Sequence, residues 1–291
     1  MCELTGMSRA GFYRNWEQRE PTAAETALRD AIQKAAAGHP YYGYRRITKH
    51  IQRHGFVVGA KKVRRLTRED NLLAIRKRKF VVTTESEHAF RVHPNLAQHL
   101  ELTDINQLWV ADITYIHLLE EFVYLAVVLD AYSRRVIGWA LGRTLESSLA
   151  REALDKAIAS RQPKPGLVHH SDRGSQYASA DYVYRLESFG AVLSMSRPGR
   201  PWENGKCESF IKTLKQEEID ACSYRSLEEL NEHVTEFIEQ TYNQVRLHSA
   251  LAYRSPVEFE ESKADEAAPS WMPATLSFLR HKEIYPDGQS H

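Results

Sequence analysis

The sequence is poor in cysteine, with three in 291 residues. Cys2, Cys207 and Cys222 form no CxxC pair, which argues against a disulfide-stapled framework and for an intracellular, disulfide-free protein. No apolar run reaches membrane-spanning length. Even Phe122 to Leu129, unbroken in its apolar character, is the size of a strand, so no membrane partner is expected. The first residues, Met1-Cys-Glu-Leu-Thr-Gly, have neither a basic start nor an apolar middle, so no signal peptide is read and a cytoplasmic place is expected. A Walker A motif is lacking, so ATP is not implied. His169 and His170 have no Cys or His partner at ligand spacing, which sets zinc aside and leaves His170 as a polar neighbour of whatever site forms there.

Net charge is also nearly absent, at +1, but it is unevenly spread. Residues 1–100 carry 19 Lys and Arg against 9 Asp and Glu, and the remainder reverses that balance with 20 against 29. Between Tyr42 and Lys79 there are 13 basic and 2 acidic residues, a density that suits a polyanion. The acidic half does not exclude DNA, because carboxylates that hold divalent ions read as surplus negative charge.

What is present reads as several pieces. Residues 1–20 look like the end of a helix-turn-helix, with Gly6 as the turn and Ser8 capping a short helix; the upstream helix is not in the sequence. Residues 21–74 read as a small helical DNA-binding domain. Pro21-Thr22 opens a helix that Gly38-His39-Pro40 ends. Two shorter helices follow, the first with Tyr44, Ile47 and Ile51 as its apolar stripe. In the second Val63 and Leu66 face inward, Leu73 lies near the end, and Lys61, Lys62, Arg64, Arg65 and Arg68 occupy the other faces. Five basic residues on a short helix after a Gly-containing turn suit phosphates and base edges in a major groove; the plainer alternative is a helical hairpin that only packs on the core. Residues 75–103 lack periodicity and read as a linker, in which Arg76 to Lys79 could track a phosphate backbone.

Residues 104–262 read as a run of strands and helices, the part that the family resemblance given below marks as the catalytic core. Trp109 to Leu118, Phe122 to Leu129 and Arg135 to Leu141 read as strands joined by short links, hence an antiparallel meander. Thr144 is placed as the cap of an amphipathic helix through Leu145, Leu149, Ala153 and Ala157. Leu167 to His170 is a fourth strand. A helix from Ala180 to Phe189 and a fifth strand from Ala191 to Met195 follow. Arg197 to Gly205 reads as a loop and Lys206 onward as a helix. Ser226-Leu-Glu-Glu229 has the form of a capping box. Residues 263–291 turn to Ala, Pro, Ser and charge and read as a tail.

Three carboxylates stand out. Asp112 sits inside the strand-like Trp109-Val-Ala-Asp-Ile-Thr-Tyr-Ile, where a charge is costly unless paired or metal-bound. Asp172 ends Leu167-Val-His-His-Ser-Asp, just before Arg173-Gly174. Glu208 lies on the helix after Pro201-Trp-Glu-Asn-Gly, and 35 residues separate it from Asp172. Asn204, Glu208, Ile211 or Lys212, and Lys215 recur at spacings of three and four and so share one side of that helix. Read alone, Asp172 could be a turn residue and Glu208 a solvated helix face; Asp130 is a competitor whose setting suits a turn.

This pattern resembles the D,D(35)E signature of integrase-type transposases of bacterial insertion sequences, relatives of retroviral integrases. WVADITYI, VVLDAYSRRVIGWAL, HHSDRGSQYAS, ENGKCESFIKTLKQE and YNQVRLHSALAYRSPVEF all look like blocks of that family, in its order. The resemblance implies an α/β fold: an RNase H-like core, a five-stranded mixed sheet flanked by helices, preceded by a small helix-turn-helix domain. It implies Asp112, Asp172 and Glu208 as catalytic residues and as ligands of two Mg²⁺ ions, for which Mn²⁺ can substitute. Lys215 would contact a DNA phosphate near the scissile bond, with Lys212 and Asn204 as further DNA contacts. The implied partners are double-stranded DNA, as element ends and target, and further copies of the chain in a synaptic complex. The product of an upstream reading frame is another, since the chain resembles the second of two frames. The activity would be cleavage at element ends and transfer of the 3′ hydroxyl to DNA. A nuclease of the same fold that does not join, or a DNA-binding remnant without catalysis, remains the alternative.

Overall fold

The structure is a computed structural model and describes residues 22–72, 74, 92–119 and 121–267. The helix-turn-helix end expected within residues 1–20, the basic stretch Arg76 to Lys79 and most of the expected tail lie outside the described residues. The chain divides into two compact units, residues 1–77 and 78–291.

The first unit packs three helices, α1 (Ala23–Gly38), α2 (Tyr44–Arg53) and α3 (Ala60–Glu69). Thr22 starts α1 by accepting from the amide of Glu25 at 3.2 Å. Each helix buries a short stripe: Leu28, Ile32 and Ala35, then Ile47 and Ile51, then Val63 and Leu66. Arg29 of α1 ties the end of α3, donating to Asp70 and, at 2.6 Å, to Glu69.

The second unit is built on five strands, β1 (Leu108–His117), β2 (Phe122–Asp130), β3 (Val136–Gly142), β4 (Val168–Ser171) and β5 (Val192–Met195), in the order β3-β2-β1-β4-β5. β1, β2 and β3 form the antiparallel meander, and β4 and β5 run parallel to β1. This is the RNase H-like arrangement that the sequence predicts. The parallel crossovers are helical: α4 (Ser147–Arg161) leads to β4, and the single turn α5 (Ser175–Ala178) with α6 (Ala180–Ser188) leads to β5. Gly138 lets α4 lie close on β3, because a Cβ there would stand 2.2 Å from the carbonyl oxygen of Ala153. α4 begins two residues later than the sequence predicts. Thr144 does not cap it; Glu146 holds the cap position with no side-chain bond, and the Leu145 carbonyl is taken by Gln176 at 3.1 Å.

After β5 the chain enters a 3₁₀ turn (Pro201–Asn204) and then α7 (Gly205–Leu214), which continues as a π-helical turn (Lys215–Ile219). α8 (Leu227–Glu236), capped by Ser226, continues as a second π-helical segment (Phe237–Val245), and α9 (Pro256–Ala267) follows. One sheet face, with Val110, Ile116, Val123 and Leu125, packs on Cys207, Phe210 and Leu214 of α7 and on Leu230 and Val234 of α8. The opposite face, with Trp109, Ala111 and Val128, packs on α4 and α6.

Two expectations change. The unpatterned residues 92–103 are pinned to the core, not a free linker: the Leu96 amide donates to Ser194 Oγ at 2.8 Å and Asn95 Nδ2 to Glu203 at 2.7 Å. The expected tail from 263 is helical as far as Ala267. Glu260 anchors α9 by accepting from Arg161 at 2.6 Å and Arg135 at 2.8 Å.

Candidate active site

Adjacent strands lead to the two aspartates. β1 and β4 pair in parallel through Trp109 with His169 and Val110 with His170. The pairing ends there; two residues further along come Asp112, still on β1, and Asp172, just past the end of β4. Asp112 accepts from the amide of Ile113 at 2.9 Å. Asp172 lies just past the end of β4 and accepts from the Gly174 amide at 2.9 Å. A side chain at 174 would crowd this turn, since a Cβ there meets Asp172 Oδ1 at 3.0 Å.

Glu208 arrives from above, on the first turn of α7, with its side chain exposed. Cys207, Phe210 and Leu214 of the same helix are buried against the sheet. Asn204 fastens the start of α7 to β1: its Nδ2 donates to the carbonyl oxygen of Ala111, the residue before Asp112, at 2.9 Å. Asn204 is 5% exposed, so it is a strut and not the surface DNA contact expected of it. Its Oδ1 is buried without a partner.

The electrostatics link the three carboxylates. The Asp112 carboxyl is pushed up to about 8, first by burial, then by the charge of Asp172 and, more weakly, of Glu208; the Ile113 amide and Lys215 pull the other way. The charges of Asp172, at the end of β4, and of Glu208, on α7, thus both bear on the Asp112 carboxyl. Among the described residues, no group of three or more Asp, Glu, His or Cys side chains is placed so that it could hold a metal ion. Carboxylate oxygens are the donor chemistry that suits a hard divalent cation.

Lys215 stands at the junction of α7 with its π-helical turn, half-buried, its ammonium 4.4 Å from the ring centre of Tyr115 on β1. Burial is the main cause of its lowered pKa, opposed by Asp220 and Asp112. Lys212 is exposed, and Ile211 packs partly against the core.

The neighbours sort themselves by hydrogen bonding. His170 is fully buried between Ser194 Oγ at 2.8 Å and Ser196 Oγ at 2.9 Å, so it braces β4 against β5 and does not line the site as expected. His169 meets the Tyr182 hydroxyl at 3.0 Å. Burial pushes His169 down to about 3 and His170 to about 4, so both are neutral. Asp130 is the turn residue that its setting suggests, accepting from the amides of Asn106, Tyr132 and Ser133.

One buried cluster beside α7 escaped sequence reasoning. Glu203, its side chain 4% exposed, joins Asn95 to Arg197, whose backbone amide and guanidinium both donate to it. Arg197 holds its carboxyl down to about 2. The available signal was Arg197 and Arg200 standing six and three residues before an acid that opens a catalytic helix. Arg246 with Glu217 is a second such pair, bonded at 2.6 and 2.9 Å on the π-helical turn after Lys215.

In the helical unit Lys61, Lys62, Arg64, Arg65 and Arg68 are all exposed on α3. Arg65 spends its charge on Glu69 at 3.0 Å and Glu25 at 3.8 Å. Arg64 lies over the Tyr44 ring, 5.6 Å from its centre. No described helix is long and apolar enough to cross a membrane.

Comparison with known proteins bears on both units. An integrase core domain profile matches residues 103–201, a second integrase core domain profile matches 190–256, and an HTH-like domain profile matches 23–80. The chain is 38% identical over 273 residues to the insertion element IS600 uncharacterized 31 kDa protein of Shigella sonnei, covering 92% of this chain and 100% of that one. It is 37% identical over 221 residues to the transposase for insertion sequence element IS904 of Lactococcus lactis, covering 76% and 87%. Identity to the transposase InsF for insertion sequence IS3A of Escherichia coli is 34% over 266 residues, covering 89% and 92%. Among solved structures, the HTLV-2 integrase catalytic core domain in complex with magnesium aligns at 18% identity with a TM-score of 0.41, covering 54% of this chain and 97% of that one.

Proposed function

This chain belongs to the integrase-core transposases of bacterial insertion sequences, and we propose that Asp112, Asp172 and Glu208 are the carboxylates with which it cuts and joins DNA. The family's activity is polynucleotidyl transfer. What supports these three residues is that Asp172, just past β4, and Glu208, on α7, both bear electrostatically on Asp112 of β1, and that Asn204 ties the start of α7 to the residue before Asp112. Asp112, Asp172 and Glu208 would hold a pair of Mg²⁺ ions, or Mn²⁺ in their place, which would activate the attacking oxygen and stabilise the leaving oxygen.

The chain's own residues supply the rest. Asp112 is held within β1, Asp172 in the turn after β4 by the Gly174 amide, and Asn204 ties the start of α7, and so Glu208, to β1. Lys215 contacts a DNA phosphate near the scissile bond, and exposed Lys212 adds a second cation on the same helix. The helical unit binds double-stranded DNA with Lys61, Lys62, Arg64 and Arg68, reading element ends through α3. Two element ends are bridged by further copies of the chain, with the product of an upstream frame as a further partner.

The test is a joining assay with Mg²⁺, labelled element ends and a plasmid target, run beside Asp112→Asn and Glu208→Gln. Joined products that vanish in both variants support the reading. Cleavage without joining would make the protein a nuclease of the same fold, and end binding with neither reaction would make it a DNA-binding remnant.

A further inference from the structure

We propose that Tyr115 is a positioning residue for Lys215: the face of its ring holds the lysine ammonium at the active site, ready for a DNA phosphate. The inference rests on the reading of Lys215 as a phosphate contact and names what places it. Tyr115 lies on β1, three residues beyond Asp112, facing Tyr124 across the β1–β2 pair. Its ring stands edge-on to Phe122, with centroids 5.9 Å apart, and is half-buried. The Lys215 ammonium stands 4.4 Å from the centre of that ring, well within cation–π range.

The need for such a support follows from the lysine. Its side chain is a flexible four-carbon stem that ends in a compact charge, and an unsupported ammonium samples many positions. Lys215 also sits where α7 gives way to a π-helical turn, closed by the Asp220 amide donating to the Lys215 carbonyl at 2.7 Å. The backbone there is thus held, and Arg246 on Glu217 holds it further. The side chain has no ion pair among the described residues, and the ring is the contact that orders it. The choice of partner matters. A carboxylate at that distance would neutralise the ammonium and compete with the incoming phosphate. A ring face orders the same charge and leaves it free to act, because its quadrupole attracts a cation without cancelling it.

The experiment uses the full chain with Tyr115→Phe, Tyr115→Leu, Lys215→Met and the double variant Tyr115→Leu with Lys215→Met. One readout is the joining rate on element ends. The other is independent of activity: the proton shifts of the Lys215 ε-methylene in protein labelled with ¹³C at lysine Cε, assigned by their loss in Lys215→Met. A ring at 4.4 Å moves these protons upfield. The expected result is an upfield signal in wild type and Tyr115→Phe that is lost in Tyr115→Leu. Joining should be near wild type in Tyr115→Phe and lower by roughly 2- to 30-fold in Tyr115→Leu. Tyr115→Leu should cost nothing further once Lys215 is Met. Three results overturn the proposal: no upfield signal in wild type, Phe as damaging as Leu, or a full additional loss in the double variant. Joining at the wild-type rate by Lys215→Met, alongside an upfield signal in the unsubstituted protein, would instead sink the phosphate-contact reading while leaving the ring contact demonstrated, so the two failures are told apart.

Discussion

Glu203→Gln is the most informative single change outside the carboxylates. It keeps the shape of the side chain and removes its charge. Glu203 accepts from Arg197 Nε at 2.7 Å, from the Arg197 amide at 2.8 Å and from Asn95 Nδ2 at 2.7 Å, with Arg197 Nη2 at 2.5 Å. Linkage sets an upper limit on the charge's contribution: a carboxyl held at about 2 instead of 4.5 corresponds to about 3 kcal/mol. Arg197 is 41% exposed, so water screens part of this, and about 2 kcal/mol is the working figure. The thermal transition of the catalytic unit should fall by roughly 4–8 °C at pH 7. The sign of the pH dependence is a second check. A depressed carboxyl stabilises above its unfolded value of 4.5 and loses that effect as pH falls toward 2, so the gap to wild type should narrow from pH 5 to 3. Joining should fall more than DNA binding, because the strap that positions α7 is loosened while α3 is untouched. Equal stability at pH 7, or a gap that does not narrow in acid, would refute the reasoning.

Folded Asp112 keeps its proton to about pH 8, whereas an unfolded aspartate releases it near 4, so metal-free stability falls as pH rises between those values. Asp112→Asn lacks that slope and should melt higher than wild type at pH 8 by several degrees, roughly 4–10 °C, and should lose the Mg²⁺-induced shift in melting that wild type shows; scanning calorimetry with and without Mg²⁺ reads both. Asn243→Ala should cost about 2–4 kcal/mol in urea titration, because the 2%-exposed amide is bonded to both the amide and the carbonyl of Val136, each at 3.0 Å, and leaves two buried backbone groups unpaired. Alanine at Lys61, Lys62 or Arg68 should weaken binding to element ends and lower the slope of log K against log salt by about 0.9 each, while Arg65→Ala, its charge already turned to Glu69 and Glu25, should change the slope less.

The sequence was readable where its pattern was local. β1 runs from Leu108 to His117 against an expected Trp109 to Leu118, because an apolar strand with one charge in it has few other placements. Ser226 caps α8 through the amide of Glu229, as the four-residue box implies. α1 ends at Gly38, before the proline that cannot continue it. The misreadings share one cause: partners distant in sequence. Asn95 meets Glu203, Val136 meets Asn243 and Arg161 meets Glu260, each across roughly a hundred residues. A polar residue that serves a remote partner leaves no period of two or 3.6 behind it. Residues 92–103 looked structureless for that reason.

The candidate site shows the same division within a single triad. Asp112 was conspicuous because a charge in a buried strand breaks a local rule, and such breaks concentrate at functional positions. Asp172 was legible at the end of a strand beside a glycine whose missing Cβ the structure uses. Glu208 breaks no rule: a glutamate on an exposed helical turn is ordinary, and it was singled out by its 35-residue spacing from Asp172, its shared helix side with Lys215 and the sequence block around it. Its location depends on where α7 begins. That is set by Asn204 on the Ala111 carbonyl and by the Glu203 hub holding Asn95 and Arg197. The carboxylate with the weakest sequence signal is thus placed by the contacts with the weakest sequence signal. On this reasoning, loosening those contacts should disturb Glu208 first and leave Asp112, within β1, and Asp172, in the turn after β4, in place.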